Sequence, residues 1–139
     1  MKNANCFGKK DWATALSNVA NLSSGSCGLT DGSKAGDWRL SNVGELQALT
    51  NETENWKDRF LSNTAGTGKW SEGDPFTGVQ LSTPEDFQQG LGTGYWTAQN
   101  RCKLINDCEA EIMGMPYWGK YVPTTEQHYV WPFRQKFNY

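Results

Sequence analysis

Four cysteines, one histidine and a scattered set of cations are the residues of this chain whose chemistry reaches beyond packing. Four cysteines allow three pairings. Their spacing favours two short-range pairs, Cys6 with Cys27 and Cys102 with Cys108. The first would bracket a helix and the second would tie a tight loop, each contributing about 2–3 kcal/mol by restricting the unfolded chain. Metal ligation competes poorly, because no Cys-x-x-Cys occurs and His128 is the one histidine. Paired cysteines point to the periplasm or the cell exterior. A Cys–His nucleophile needs a free thiolate, which paired sulfurs do not provide. A lone strand histidine is more often packed or hydrogen-bonded than catalytic. No Ser-His-Asp set, phosphate loop or metal cluster can be argued, so the chain reads as non-catalytic and without a cofactor.

The cations suggest a different chemistry. Arg101, Lys103, Lys120, Arg134 and Lys136 lie on or beside a predicted strand region, with Tyr117, Trp118 and Tyr121 among them. Net charge is only −2, which argues against a nucleic-acid binder. Charge is unevenly spread. Residues 1–10 hold Lys2, Lys9 and Lys10 without an acid, and residues 112–139 hold Lys120, Arg134, Lys136 and His128 against Glu126 alone. If the two ends meet, their charges sum to a local basic patch; otherwise they are two solvated faces. Glu72, Asp74, Glu85 and Asp86 fall in a stretch without a base. They could hold a hard cation such as calcium, but solvated loop acids are the preferred reading, with no metal site. Tyr117, Trp118 and Tyr121 have a plainer alternative, as loop aromatics that cover the core, and for Trp118 that alternative is the preferred one.

These residues need a scaffold, and 139 residues suffice for one core rather than two, which makes residues 1–139 a single domain. Seven tryptophans, six phenylalanines and five tyrosines predict an aromatic interior, and fifteen glycines predict long irregular connections. Asp11 before Trp12, Ala15, Leu16, Val19 and Leu22 is a cap followed by apolar residues at helical spacing. Residues 23–36 read as a loop. Asp37-Trp38-Arg39-Leu40 suits a short strand that plants Trp38 and Leu40 in the core. Asn42 with Glu45 fits a capping box for a second helix over about 42–50. Arg39 beside Asp37 and Glu45 reads as a buried structural ion pair. Residues 51–94 show no sustained period, and Trp56, Phe60, Trp70 and Phe76 are expected to pin them to the body. Strands follow at 94–99, 109–115 and 127–134, with Pro132 placing the last at an edge. Two helices followed by an antiparallel meander make an α+β domain. No apolar run approaches the ~18 residues of a membrane span, and no leader is visible after Met1, so the chain reads as part of a longer secreted precursor.

Three blocks then stand in order: Asp11-Trp12-Ala13-Thr14-Ala15-Leu16, Gly36-Asp37-Trp38-Arg39-Leu40-Ser41-Asn42-Val43-Gly44-Glu45-Leu46-Gln47-Ala48-Leu49, and Gly94-Tyr95-Trp96-Thr97. With Tyr129-Val130-Trp131-Pro132-Phe133-Arg134 at the end, the chain resembles the Lcl C-terminal domain family, the terminal domain of the Legionella collagen-like adhesin. The resemblance runs from Asp11 to Arg134, with 51–93 as its variable middle. Ser41 stands where the family usually has Pro, and the family's Gly-Leu-x-Trp strand before the first helix is missing. The resemblance implies a C-type-lectin-like scaffold in which Trp38, Arg39, Glu45 and Trp96 are structural. It also implies secretion or display on the outer surface of a Gram-negative bacterium, a homotrimer, and recognition of a sulfated polysaccharide or host surface glycan, glycosaminoglycans included. Neither nucleic-acid binding nor membrane insertion is expected. The five cations above would meet sulfates, and Tyr117, Trp118 and Tyr121 would stack against sugar faces. The competing reading is a surface protein–protein interaction or structural module whose variable middle meets a partner.

Overall fold

The computed structural model describes residues 1–51, 53, 55–74, 76–90, 93–104 and 107–134. Asp11 caps the first helix as its side chain dictates. A carboxylate oxygen accepts the Thr14 N–H at 2.8 Å, and α1 runs over Trp12–Ala20 with Ala15 and Val19 buried. After the glycine-rich loop, β2 (Trp38–Leu40) buries Trp38 and Leu40 and leaves Arg39 between them half-buried. Asn42 and Glu45 then close a reciprocal capping box at the start of α2 (Val43–Gln47). This helix is shorter than the expected 42–50. The Leu49 and Thr50 N–H groups bond the Leu46 and Gln47 carbonyls three residues back, which tightens the chain out of the α-helix.

Arg39 forms a two-pronged ion pair with Glu45, both N···O distances being 2.6 Å. Its side chain and that of Glu45 remain 37% and 28% exposed, so the pair is half-buried rather than buried. Asp37 does not join them. It lies 3.9 Å from Arg134 on another strand.

The middle of the chain contains a helix that was not expected. Thr83 accepts the Asp86 N–H, Pro84 occupies the first turn, and α3 (Pro84–Gln89) ends at Gly90 in the left-handed conformation at φ +71°. Before it come a 3₁₀ turn over Trp56–Asp58 and two isolated bridges, Thr50 with Leu61 and Ser62 with Lys69. Three of the aromatics expected to pin this segment do so. Trp56 packs edge-on against Tyr117, Phe76 packs edge-on against Trp131, and Trp70 packs against the apolar cluster that contains Met113, Met115 and Trp131 while its indole donates to the Phe76 carbonyl.

The larger sheet is built on the antiparallel meander β3 (Tyr95–Cys102), β4 (Cys108–Met113) and β5 (Gly119–Pro123). Strands β1 (Lys9–Lys10) and β6 (His128–Tyr129) extend it in the order β1-β6-β3-β4-β5, β6 running parallel to β3 at Tyr95 and Tyr129. A second, two-stranded sheet pairs β2 with β7 (Pro132–Arg134). Strand β5 was not expected, and the strand expected over 127–134 is two strands in two sheets. The division has a physical cause. Val130 and Trp131 are both fully buried, which a single alternating strand facing one core cannot achieve, and Pro132 brings no N–H to continue a ladder.

Neighbouring residues on β3 and β4 point to opposite faces, so this sheet divides two apolar clusters. Trp96 and Ile112 join Ala15, Val19, Trp38 and Leu40 on one face, and Tyr95 and Met113 join Leu46, Leu61, Met115 and Trp131 on the other. The Trp96 indole donates to the Lys10 carbonyl at 2.7 Å. The Tyr95 hydroxyl donates to the Ala4 carbonyl and accepts the Gln80 N–H, both at 2.8 Å, and its burial pushes the phenol pKa up. Both expected disulfides are present, Cys6 with Cys27 and Cys102 with Cys108, and the second closes the β3–β4 hairpin. No helix among the described residues is long and apolar enough to cross a membrane.

The first residues and the last described strands do meet. Beyond the β1–β6 pair, the Met1 amino group donates to the Pro132 carbonyl at 2.9 Å and the Trp131 indole donates to the Met1 carbonyl at 2.7 Å.

Candidate functional site

The expected cations take separate partners. Arg101, near the end of β3, lies 3.2 Å from Glu109, and its guanidinium sits 4.1 Å from the Tyr121 ring centroid. Lys103 is exposed just beyond it. Arg134, on the other sheet, bonds Asp31 at 3.3 Å and approaches Asp37. Lys136 lies outside the described residues. The meeting of the chain ends therefore does not leave Arg134 as a free charge there, since loop acids compensate it.

Lys120 and Trp118 occupy a different setting, next to each other in one cleft. The turn into β5 presents Trp118, whose ring lies 4.9 Å from Trp56 and 4.8 Å from Phe87, both nearly edge-on. Trp118 remains 39% exposed, whereas Tyr117 beside it is buried against the same two rings. Tyr117 therefore belongs to the platform that supports Trp118, and the covering role preferred for Trp118 falls to Tyr117 instead. Lys120 reaches the C-terminal end of α3, its ammonium 3.3 Å from the Gly90 carbonyl, where it complements the unsatisfied carbonyl end of the helix. Gln88 and Gln89 complete the rim of an open cleft of about 530 Å³. Trp56, Phe87 and the two glutamines were not among the residues expected in a site. The signal available for them was the Thr-Pro-Glu-Asp start of α3, which fixes where Phe87, Gln88 and Gln89 point.

Glu72 and Asp74 are occupied by their own loop. A Glu72 oxygen accepts the Gly78 N–H at 2.6 Å, and Asp74 accepts both the backbone N–H and the hydroxyl of Thr64. No group of three or more metal-binding side chains occurs among the described residues.

His128, on β6, is buried beside Trp96 of β3, whose ring meets it edge-on at 4.9 Å. The Gly94 N–H donates to its Nδ1 at 3.2 Å, and Nε2 lies 2.9 Å from a Glu126 oxygen. Together these contacts assign a neutral ring that accepts at Nδ1 and donates at Nε2. Burial pushes the His128 pKa below its ordinary value, outweighing the opposing pull of Glu126, with Lys120 and Lys9 also lowering it. The folded chain thus binds this proton less readily than the unfolded chain, so the stabilisation is complete above the unfolded value near 6.5 and is lost as pH falls through the folded value. Melting temperature is expected to drop between pH 7.5 and 5 more steeply in the natural chain than in His128→Gln. Parallel curves for the two proteins would show that His128 does not set the acid sensitivity.

No protein-family model, curated protein or solved structure matches the chain.

Proposed function

We propose that this chain is a non-catalytic, extracellular binding module for anionic glycans, and that the Trp118–Lys120 cleft is its contact surface. One observation carries the reading: a partly exposed tryptophan, held rigid by Trp56 and Phe87, stands beside an ammonium and two primary amides in an open cleft. A sugar ring offers an apolar face to stack on the indole, hydroxyls to pair with the amides of Gln88 and Gln89, and a sulfate or carboxylate to meet Lys120. Lys103, exposed at the β3–β4 hairpin, is a further cation for a chain longer than one sugar, whereas the charge of Arg101 already serves Glu109.

Several features support a C-type-lectin-like scaffold of the Lcl C-terminal kind. The described termini are clasped together, two helices flank the sheet, and a long middle segment with little regular structure supplies one wall of the cleft. Two disulfides and the absence of a membrane-spanning helix among the described residues fit a secreted or surface-displayed protein of a Gram-negative bacterium. A homotrimer would raise the strength of three weak sites by avidity.

A heparin column tests the binding claim. The chain is expected to be retained at low salt and released by a few hundred mM NaCl, because sulfate contacts are screened and their counterions return. Trp118→Ala and Lys120→Gln should elute earlier, while Arg134→Gln, whose charge already serves Asp31, should elute with the natural chain. Flow-through at low salt would remove the glycan reading in favour of a protein partner.

A further inference from the structure

We propose a second binding site, for small organic carboxylates, in the cleft where Arg59 and Lys69 face an apolar wall formed by Leu61, Trp70, Pro116 and Tyr117. Arg59 follows the 3₁₀ turn and is fixed by two backbone carbonyls. Its Nε donates to Thr53 at 3.0 Å, and Nη1 donates to Tyr117 at 2.9 Å. A guanidinium carries five N–H donors, so three remain for a ligand.

The pattern of ion pairs singles this arginine out. Arg39, Arg101 and Arg134 each pair with a carboxylate, whereas no described acid lies within 4.0 Å of Arg59 or Lys69. Glu85 is near enough to help raise the Tyr117 pKa, yet it makes no ion pair with either cation. A half-buried guanidinium held in place without a counter-charge among the described residues is an arrangement that an incoming carboxylate completes, through the paired N–H···O bonds that this geometry favours. Lys69 is exposed at the same cleft, its ammonium 5.9 Å from the Phe60 ring centroid, and supplies the second positive charge.

Size narrows the ligand class. The cleft encloses about 230 Å³, below the roughly 300–1,000 Å³ that accommodates drug-sized molecules. An acid the size of an amino acid or a single sugar, with one flat apolar face toward Trp70 and Tyr117, fits that space. This assignment does not depend on glycan binding at Trp118, which lies in the neighbouring cleft.

Benzoate and its uncharged counterpart benzamide are the probes, followed by ¹H–¹⁵N NMR at the Arg59 Nε–H and Trp70 indole N–H. The expected result is saturable benzoate binding at millimolar concentration, at least tenfold weaker for benzamide and in Arg59→Gln, and several-fold weaker in Lys69→Gln. Lys69 is exposed, so its variant reports on charge even if Arg59→Gln fails to fold. Trp118→Ala is expected to bind benzoate as the natural chain does. Equal affinity for benzoate and benzamide, unchanged benzoate affinity in Lys69→Gln, no saturation by tens of millimolar, or loss of binding in Trp118→Ala would each overturn the proposal. None of these outcomes depends on heparin retention.

Discussion

Trp131→Ala is expected to cost about 3–5 kcal/mol, the range measured when a large aromatic is removed from a packed core. The side chain is 1% exposed and lies 5.0 Å from Phe76, 5.3 Å from Tyr95 and 5.9 Å from Phe133, centroid to centroid. It therefore joins the irregular middle, β3 and β7 through a single side chain. Its indole also holds the Met1 carbonyl, so truncation leaves both a cavity and a freed acceptor. Against a typical total of roughly 5–15 kcal/mol, this loss takes a large share of the stability. Urea unfolding should show a lower midpoint with an unchanged slope. A loss below about 1 kcal/mol would mean that the second core does not depend on this ring.

Gly94→Ala is expected to be nearly as damaging, at about 3 kcal/mol, for a steric rather than a cavity reason. A Cβ at this position would sit 2.5 Å from the Met113 carbonyl oxygen and 2.9 Å from its carbon, and backbone cannot rotate aside as a side chain can. Gly94 also donates to His128 and accepts the Tyr129 N–H, so displacing it disturbs β3, β4 and β6 together. Gly68→Ala is the control. Its added methyl would meet only the Asn63 side chain, at an ordinary 3.8 Å. Thermal melts should place Gly68→Ala beside the natural chain and Gly94→Ala well below it. Coincident melts for all three would show that the close approach of β3 and β4 has slack.

Much of the fold was legible in the sequence wherever the cause was local. Asp11, the Asn42–Glu45 box and the Trp38-Arg39-Leu40 alternation each act within a few residues, and each appears as read. Two short cysteine spacings were enough to favour the disulfides. Helix α3 was equally legible in Thr83-Pro84-Glu85-Asp86, but seven glycines across the surrounding segment concealed it. Strand β5 was harder to see, because Gly119 and Pro123 bound a run too short for a clear alternation. The break within 127–134 depends on which core each residue enters, and that is decided by distant strands. The site was legible only in part. Trp118 and Lys120 announce themselves by type, whereas Arg59 becomes notable only when Asp31, Glu45 and Glu109 are seen paired with other arginines.

The clasp between the chain ends has a mechanical consequence. Met1 lies against Pro132 and Trp131, but tension drawn through Met1 also loads the hydrogen bonds of Lys2 and Ala4 to Thr77, and tension drawn through Arg134 meets the β2–β7 pair first. The Cys6–Cys27 bridge passes the load drawn through Met1 directly from Cys6 to Cys27, so β1 and α1, which lie between the two cysteines, are not drawn out.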